Sequence, residues 1–286
     1  MATLYVVSTP IGNLEDISQR ALRVLKEVDR VLAEDTRHTA TLFRRYDIGT
    51  PLVSAHMHNE AGRSSQVVGW LEAGENLALV SDAGTPLLSD PGARIVNEVI
   101  AAGHTVVPIP GASALLSALV GSGLDAAAFT FFGFPPRTGS ERKALLQRIA
   151  SLDHTAVLYE APPRVHRLLA DLAELCEPER GAVVARELTK VHETFERGTL
   201  QSLATYYEAA PPRGEVVVLV AGGPGLAGAA VAADPAVVAR TLLDEGGRPS
   251  NIARELARRL GMSRNEAYQI VLAVAEPGDR AREVEE

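Results

Sequence analysis

Hydrophobic positions along the first 121 residues alternate between short apolar runs and longer amphipathic stretches. The runs LYVVS, RVLAE, LALVS and TVVPI predict strands, and the segments starting near Ser18, Thr36, Glu60 and Pro91 predict helices. Strand and helix in alternation imply a mostly parallel sheet covered by helices on both faces.

The helix after LALVS has explicit start and stop signals. Asp90 is placed to cap it and Pro91 to occupy its first turn, Ile95, Val96, Val99 and Ile100 form its apolar stripe, and Gly103 ends it. SDAGTPLLSDPGA, residues 81–93, therefore joins the carboxyl end of a strand to a helix start, the edge at which open α/β sheets bind ligands. On this reading helix initiation accounts for SDPGA, and SDAGTP is left as the functional part.

The pattern changes phase after GSGLD, residues 121–125. AAFTFFGF, TAVLYE, AVVARE, HETFERG and EVVVLVAG read as strands, with helices near residues 163–175 and 200–207. Several of these strands are only a few residues apart, so a second α/β domain of more antiparallel character is expected. The triplet PPR recurs from Pro135, Pro162 and Pro211, each time in a loop.

Beyond GGPGLAG lies a third, small unit. Ile252, Ala253, Leu256 and Leu260 form a stripe, Gly261 breaks it, and Ser263 with Glu266 forms a capping box before a second helix. The pair resembles a helix-turn-helix. The expected division is 1–121, 122–222, a linker at 223–235, a helical unit at 236–275 and a disordered tail at 276–286.

Composition narrows the class. The 286 residues are 46% hydrophobic and 22% charged, ordinary for a globular protein, and the formal charge of -8 gives no global attraction to nucleic acid or an anionic membrane. Residues 236–275 run the other way, with six Arg against four acids. One cysteine, Cys176, leaves no internal disulfide and suits a reducing cytoplasm. The start MATLYVVSTPIGN lacks a basic signal-peptide start, and GGPG interrupts the one uncharged run of membrane-like length, 216–233. No membrane association is expected.

GPGLAG matches a dinucleotide-binding fingerprint literally, but a helical pair follows it in place of the required second strand, so a linker is the better reading. HMH, residues 56–58, has no further metal-ligand spacing near it and is read as structural or substrate-contacting. A nucleophile elbow and a P-loop are both missing from the sequence.

Three strand exits share an unusual backbone chemistry. STPIGNLED carries Pro10 and Gly12, SDAGTP carries Gly84 and Pro86, and IPGASALLSA carries Ser113 at a helix start, where a capping role is the plainer one. Three such turns from one sheet favour a composite pocket. AEDTRHT adds Glu34, Asp35, Arg37 and His38, although a helix N-terminus also favours Asp35. ARELTKVHE adds Arg186, Glu187, Lys190 and His192 at a strand end of the second domain, where a solvated loop is the alternative.

YVVSTPIGNLEDIS, AEDTRHT, SDAGTPLLSDPG, PGASA, FFGFPPR, YEAPPR and ARELTKVHE, in this order and over residues 3–221, resemble the ribosomal branch of the tetrapyrrole methylase family. The resemblance implies two α/β domains with S-adenosylmethionine in the cleft between them, a small helical C-terminal extension and a homodimer. It implies methylation of a cytidine ribose 2′-hydroxyl in the decoding region of small-subunit ribosomal RNA, free or in the assembled subunit. Pro10, Asp82, Ala83, Gly84, Thr85 and Pro86 would contact the cofactor, Ser113 and Ala114 would form a second wall, and Glu160 and Ala185 would close over it. Corrin and porphyrin methylases carry a G-x-G-P-G-D turn where this chain has STPIGNLED, which argues against a tetrapyrrole substrate.

A ribose hydroxyl is a weak acid, so a base or a nearby cation should assist its attack. Asp35 and Glu187 are the candidate bases, and Arg37 and Lys190 the candidate cations. Arg137, Arg142, Lys143 and Arg164, with Arg254, Arg258, Arg259 and Arg264 of the helical unit, are the expected RNA contacts. A ligand-sensing nucleic-acid-binding regulator is the alternative from another class; it is weakened because the second helix carries no Lys or Arg after Arg264.

Overall fold

A computed structural model describes residues 2–56, 60–223, 235–244, 248–260 and 262–275, without the side chains of a few positions that include Arg258 and Arg259. Met57 and His58 of HMH, most of GPGLAG and the tail lie outside the described residues.

The first sheet holds β1 (Thr3–Val7), β2 (Arg30–Ala33), β3 (Leu52–Ser54), β4 (Leu77–Val80) and β5 (Thr105–Ile109) in the order β3-β2-β4-β1-β5, every pair parallel. The pleat sends alternate side chains to opposite faces. Val31, Ala33, Ala78 and Val80 pack beneath α1 (Gln19–Glu27) and α2 (Thr36–Tyr46), while Leu4, Leu32, Leu77 and Leu79 pack beneath α3 (Glu60–Glu72) and α4 (Ala93–Ala101). Each fully buried Leu contributes about 2 kcal/mol. Because α1 and α4 cover different faces, the connections leaving the adjacent strands β1 and β4 depart to opposite sides, which opens a crevice at their carboxyl ends.

The second sheet holds β6 (Phe129–Phe131), β7 (Thr155–Glu160), β8 (Gly181–Arg186), β9 (Thr194–Thr199) and β10 (Val216–Val220) in the order β6-β7-β10-β8-β9. It is mixed, with β6 parallel to β7 and the other pairs antiparallel, in keeping with the short spacing between strands. Between the sheets in sequence runs α5 (Ala114–Ser122), whose Leu115, Ala118 and Leu119 pack with Ile11 on Val157, Val183, Ala185, Val217 and Leu219. This helix follows a strand of the first sheet yet covers the second, and so ties the two sheets into one body. The remaining helices of that region are α6 (Gly139–Ala150), α7 (Val165–Leu175) and α8 (Leu200–Ala209).

Residues 1–146 and 155–221 form one compact unit; residues 147–154 and 222–286 belong to a second. The second unit contains α9 (Pro235–Asp244), α10 (Pro249–Leu260) and α11 (Arg264–Val274), so three helices stand where the sequence pattern marks two. Ala239, Leu243, Ile252, Ala253, Leu256, Ala267 and Val271 form its core, and the Ser263 side chain caps α11 by accepting from the Glu266 N–H. β3, α6 and α9 are not among the elements that the sequence pattern predicts.

Candidate active site

The exits of β1, β4 and β5 converge. Thr9 and Gly84 exchange main-chain hydrogen bonds of 2.9 and 3.0 Å, the Thr85 hydroxyl donates to the Ala112 carbonyl at 3.3 Å, and it lies 3.1 Å from the Ser8 hydroxyl. Gly84 has φ of 82°, a conformation that side-chain-bearing residues rarely adopt, and a Cβ there would sit 3.2 Å from Ile11 Cγ2.

These turns form one wall of a cavity of about 330 Å³. Ile11, Ala83, Gly84, Thr85, Ser113 and Ala114 line one side, Tyr159, Glu160, Ala161, Leu188 and Glu215 to Val217 line the other, and Leu88, Ser89, Asp90 and Phe134 complete it. Ser113 lines this cavity and also caps α5, its hydroxyl accepting from the Leu116 N–H.

A second cavity, about 310 Å³, adjoins the first and shares Ile11, Ala83 and Glu215 with it. Pro10, His38, Asp82 and Lys190 line this one. Asp82 also accepts from the Asp35 N–H at 2.9 Å, so its carboxylate fixes the start of α2.

Glu160 is the most sharply defined ligand-seeking group. Its side chain is fully buried, and Oε1 accepts from Arg164 Nη2 at 2.6 Å, Arg164 Nε at 2.7 Å and the Ala161 N–H at 2.7 Å. Oε2 is buried with no partner. A buried acceptor without a hydrogen bond costs about 1–3 kcal/mol, which a ligand N–H or O–H in the cavity would remove.

Several expected roles are revised. Pro86 and Ala185 do not line either cavity; Pro86 is buried behind the loop, and Ala185 lies fully buried in the core under α5. Asp35 is not poised as a base, because it caps α2 and grips Arg37 through both oxygens, at 2.7 and 3.0 Å. The guanidinium and the α2 N–H groups hold its carboxyl well below the usual range. Arg37 itself is largely exposed and lines neither cavity.

Glu187 is likewise occupied. Its Oε1 accepts from the Glu215 N–H and from Lys190 Nζ, both at 2.9 Å, and these bonds hold its pKa below the usual carboxylate value. Burial opposes charge on Lys190, but hydrogen bonds to Glu187 and Glu215 outweigh it and keep the ammonium charged.

Among the expected RNA contacts, Arg142 is only 6% exposed and donates from Nε and Nη2 to Asp171 and from Nη1 to the Pro136 carbonyl, so it is a structural residue. Arg164 holds Glu160. Arg137, Lys143, Arg254 and Arg264 are exposed.

Asp90 was the cap expected from sequence, and the structure assigns that work elsewhere. Gly92, with φ of 120°, precedes α4, and Glu60 Oε1 accepts from the N–H groups of Gly92, Arg94 and Ile95 at 3.1, 2.9 and 3.4 Å. Leu87 and Ser89 both have φ of 73°, costing about 1–2 kcal/mol each, and this path turns Ser89 and Asp90 onto the cavity. Ser89 and Asp90 of SDPGA are thus part of the site. Their signal was hidden because Asp-Pro-Gly before an apolar stripe reads as a helix start.

Fold and cavity together define an α/β protein with a cavity of small-molecule size over the carboxyl edge of a parallel sheet. Residues 3–204 match the Tetrapyrrole (Corrin/Porphyrin) Methylases, and the chain belongs to that family. It is 43% identical over 283 residues to "Ribosomal RNA small subunit methyltransferase I" of Synechocystis sp., covering 97% of this chain and 100% of the relative. The protein of the same name from Pseudomonas aeruginosa is 44% identical, covering 94% and 96%. Among solved structures, the methyltransferase CobJ superposes with a TM-score of 0.61 at 20% identity over 78% of this chain and 95% of that one. A diphthine synthase gives 0.60 at 17% over 77% and 90%. At these identities the two structures speak for the fold alone.

Proposed function

We propose that the chain transfers a methyl group from S-adenosylmethionine to small-subunit ribosomal RNA, at the ribose 2′-hydroxyl of a cytidine in the decoding region. The observation that carries this reading is near-full-length identity above 40% to relatives named for methylation of that RNA. The first cavity fits the donor: its volume lies in the small-molecule range, its body is apolar, and Glu160 and Asp90 offer carboxylate oxygens to a cationic ligand.

When bound, S-adenosylmethionine supplies an electrophilic methyl group on a positively charged sulfur. The protein's part is to hold the acceptor oxygen about 3 Å from that carbon and in line with the breaking bond. The second cavity, separated from the first by Ile11, Ala83 and Glu215, is the proposed seat of the acceptor nucleotide. Lys190 on its wall would stabilise the developing alkoxide. Arg137, Lys143, Arg254 and Arg264 supply positive charge for RNA phosphates, with Arg258 and Arg259 proposed alongside them.

The enzyme is proposed to act in the cytoplasm as a homodimer. Exposed Leu116 and Val120, one turn apart on α5, support a second copy, and light scattering behind size exclusion tests it. No helix among the described residues is long and apolar enough to cross a membrane.

Tritiated S-adenosylmethionine, incubated with small subunits or naked RNA from a strain lacking the activity, should label small-subunit RNA. Nuclease digestion should place the label on a cytidine ribose. Label in neither preparation overturns the function.

A further inference from the structure

We propose that Asp90 is the carboxylate that pairs with a positive charge of the bound methyl donor. The inference rests on the reading of the first cavity as the donor site and assigns to it a residue that local sequence pattern gives to helix capping.

Three observations release Asp90 for this work. Glu60, from a different helix, already accepts from the main-chain N–H groups that begin α4. The left-handed residues Leu87 and Ser89 carry the loop so that Asp90 lines the cavity rather than the helix axis. The ion pairs formed by the described residues do not include Asp90, in contrast to Asp35, Glu160 and Glu187.

Among the described residues, the groups that act on it are acids or neutral. Glu34 follows β2, Ser81 and Asp82 follow β4, and Tyr159 and Glu160 end β7. Burial first, then the charges of Glu34 and Asp82, push the Asp90 carboxyl up to about 6, against a hydrogen bond from Ser81. A half-buried carboxylate among like charges, with its missing cation on the cavity side, is complementary to a ligand carrying positive charge.

A cation arriving beside Asp90 stabilises its ionised form, so binding expels the proton held by the free protein. Near pH 6 about half of the molecules hold that proton, and near pH 8 very few do. Donor binding should therefore release about half a proton at pH 6 and almost none at pH 8.

The test is calorimetric titration of the full chain in two buffers of different ionisation heat, with S-adenosylmethionine and then S-adenosylhomocysteine. Asp90→Asn should bind S-adenosylmethionine about tenfold more weakly at pH 8 and release no proton at pH 6. Asp90→Glu should restore release, and Glu34→Gln, which removes a neighbouring charge but not the burial of Asp90, should lessen it without abolishing it. Release with the methylated compound alone assigns the pairing to the sulfonium; release with both assigns it to the amino group. Tight binding without release by the natural protein, or unchanged affinity and release in Asp90→Asn, overturns the inference and leaves the donor site standing. Failure of both compounds to bind removes the donor reading and the inference with it.

Discussion

The N–H of Thr9 donates to the Gly84 carbonyl at 2.9 Å, and the N–H of Gly84 returns the bond to Thr9 at 3.0 Å, two residues 75 apart in sequence locked at the mouth of one sheet. The pair sets the exits of β1 and β4 against each other and leaves Ala83 to Thr85 facing the cavity. Gly84→Ala forces φ of 82° on an alanine and brings its Cβ against Ile11. It should cost about 1–2 kcal/mol in urea unfolding and weaken donor binding in calorimetry. A variant as stable and as tightly binding as the natural protein would show that the turn has no such role.

Glu160 and Arg164 separate stability from binding. Arg164→Ala strands a buried carboxylate and should cost about 2–4 kcal/mol in chemical unfolding. Glu160→Gln preserves an acceptor for Arg164 and Ala161 but turns an NH₂ group toward the cavity in place of Oε2. Its expected signature is a small change in stability with about tenfold weaker donor binding.

Arg142 and Lys143 are neighbours with opposite duties. Arg142→Ala breaks a pair with Asp171 and should destabilise by about 3 kcal/mol, with RNA affinity of the folded protein unchanged. Lys143→Ala, at an exposed position, should leave stability within about 0.5 kcal/mol. It should lower RNA affinity and reduce the slope of log affinity against log salt by about 1. Filter binding across a salt series decides both.

Lys190→Met should depress turnover far more than donor affinity, because Lys190 lines the acceptor cavity and not the donor one. Glu187 has a lowered pKa in the folded chain, so the stability that it adds is present above the unfolded carboxylate value of about 4.3 and is lost as pH falls through its folded value. Removing Lys190 should shrink the difference between unfolding free energies at pH 7 and pH 3, by less than about 1 kcal/mol for a network open to solvent at Glu215.

Much of the site can be read in local pattern. Gly84 and Ser113 sit at strand exits where backbone constraint is visible in the residue types themselves, and the motifs around them resemble a known family. Asp90 and Arg142 show where local reading ends. Asp90 has the neighbours of a helix cap, and only the approach of Glu60, 30 residues earlier, takes that role away. Arg142 looks like one cation of an exposed basic loop until Asp171 and the Pro136 carbonyl close around it.

The sequence by itself therefore determined the parallel first sheet, the mixed second sheet, the convergence of three strand exits and the family. The sheets and the strand exits follow from hydrophobic period and turn chemistry, which act between residues close along the chain, and the family from the resemblance of its motifs. Tertiary structure decided which carboxylates are spent and which are free. Asp35 and Glu187 are neutralised by Arg37 and Lys190, Glu160 keeps one oxygen open, and no ion pair among the described residues includes Asp90. Pairing, desolvation and capping depend on what distant segments bring within 3 Å, and no local pattern of residues encodes that distance.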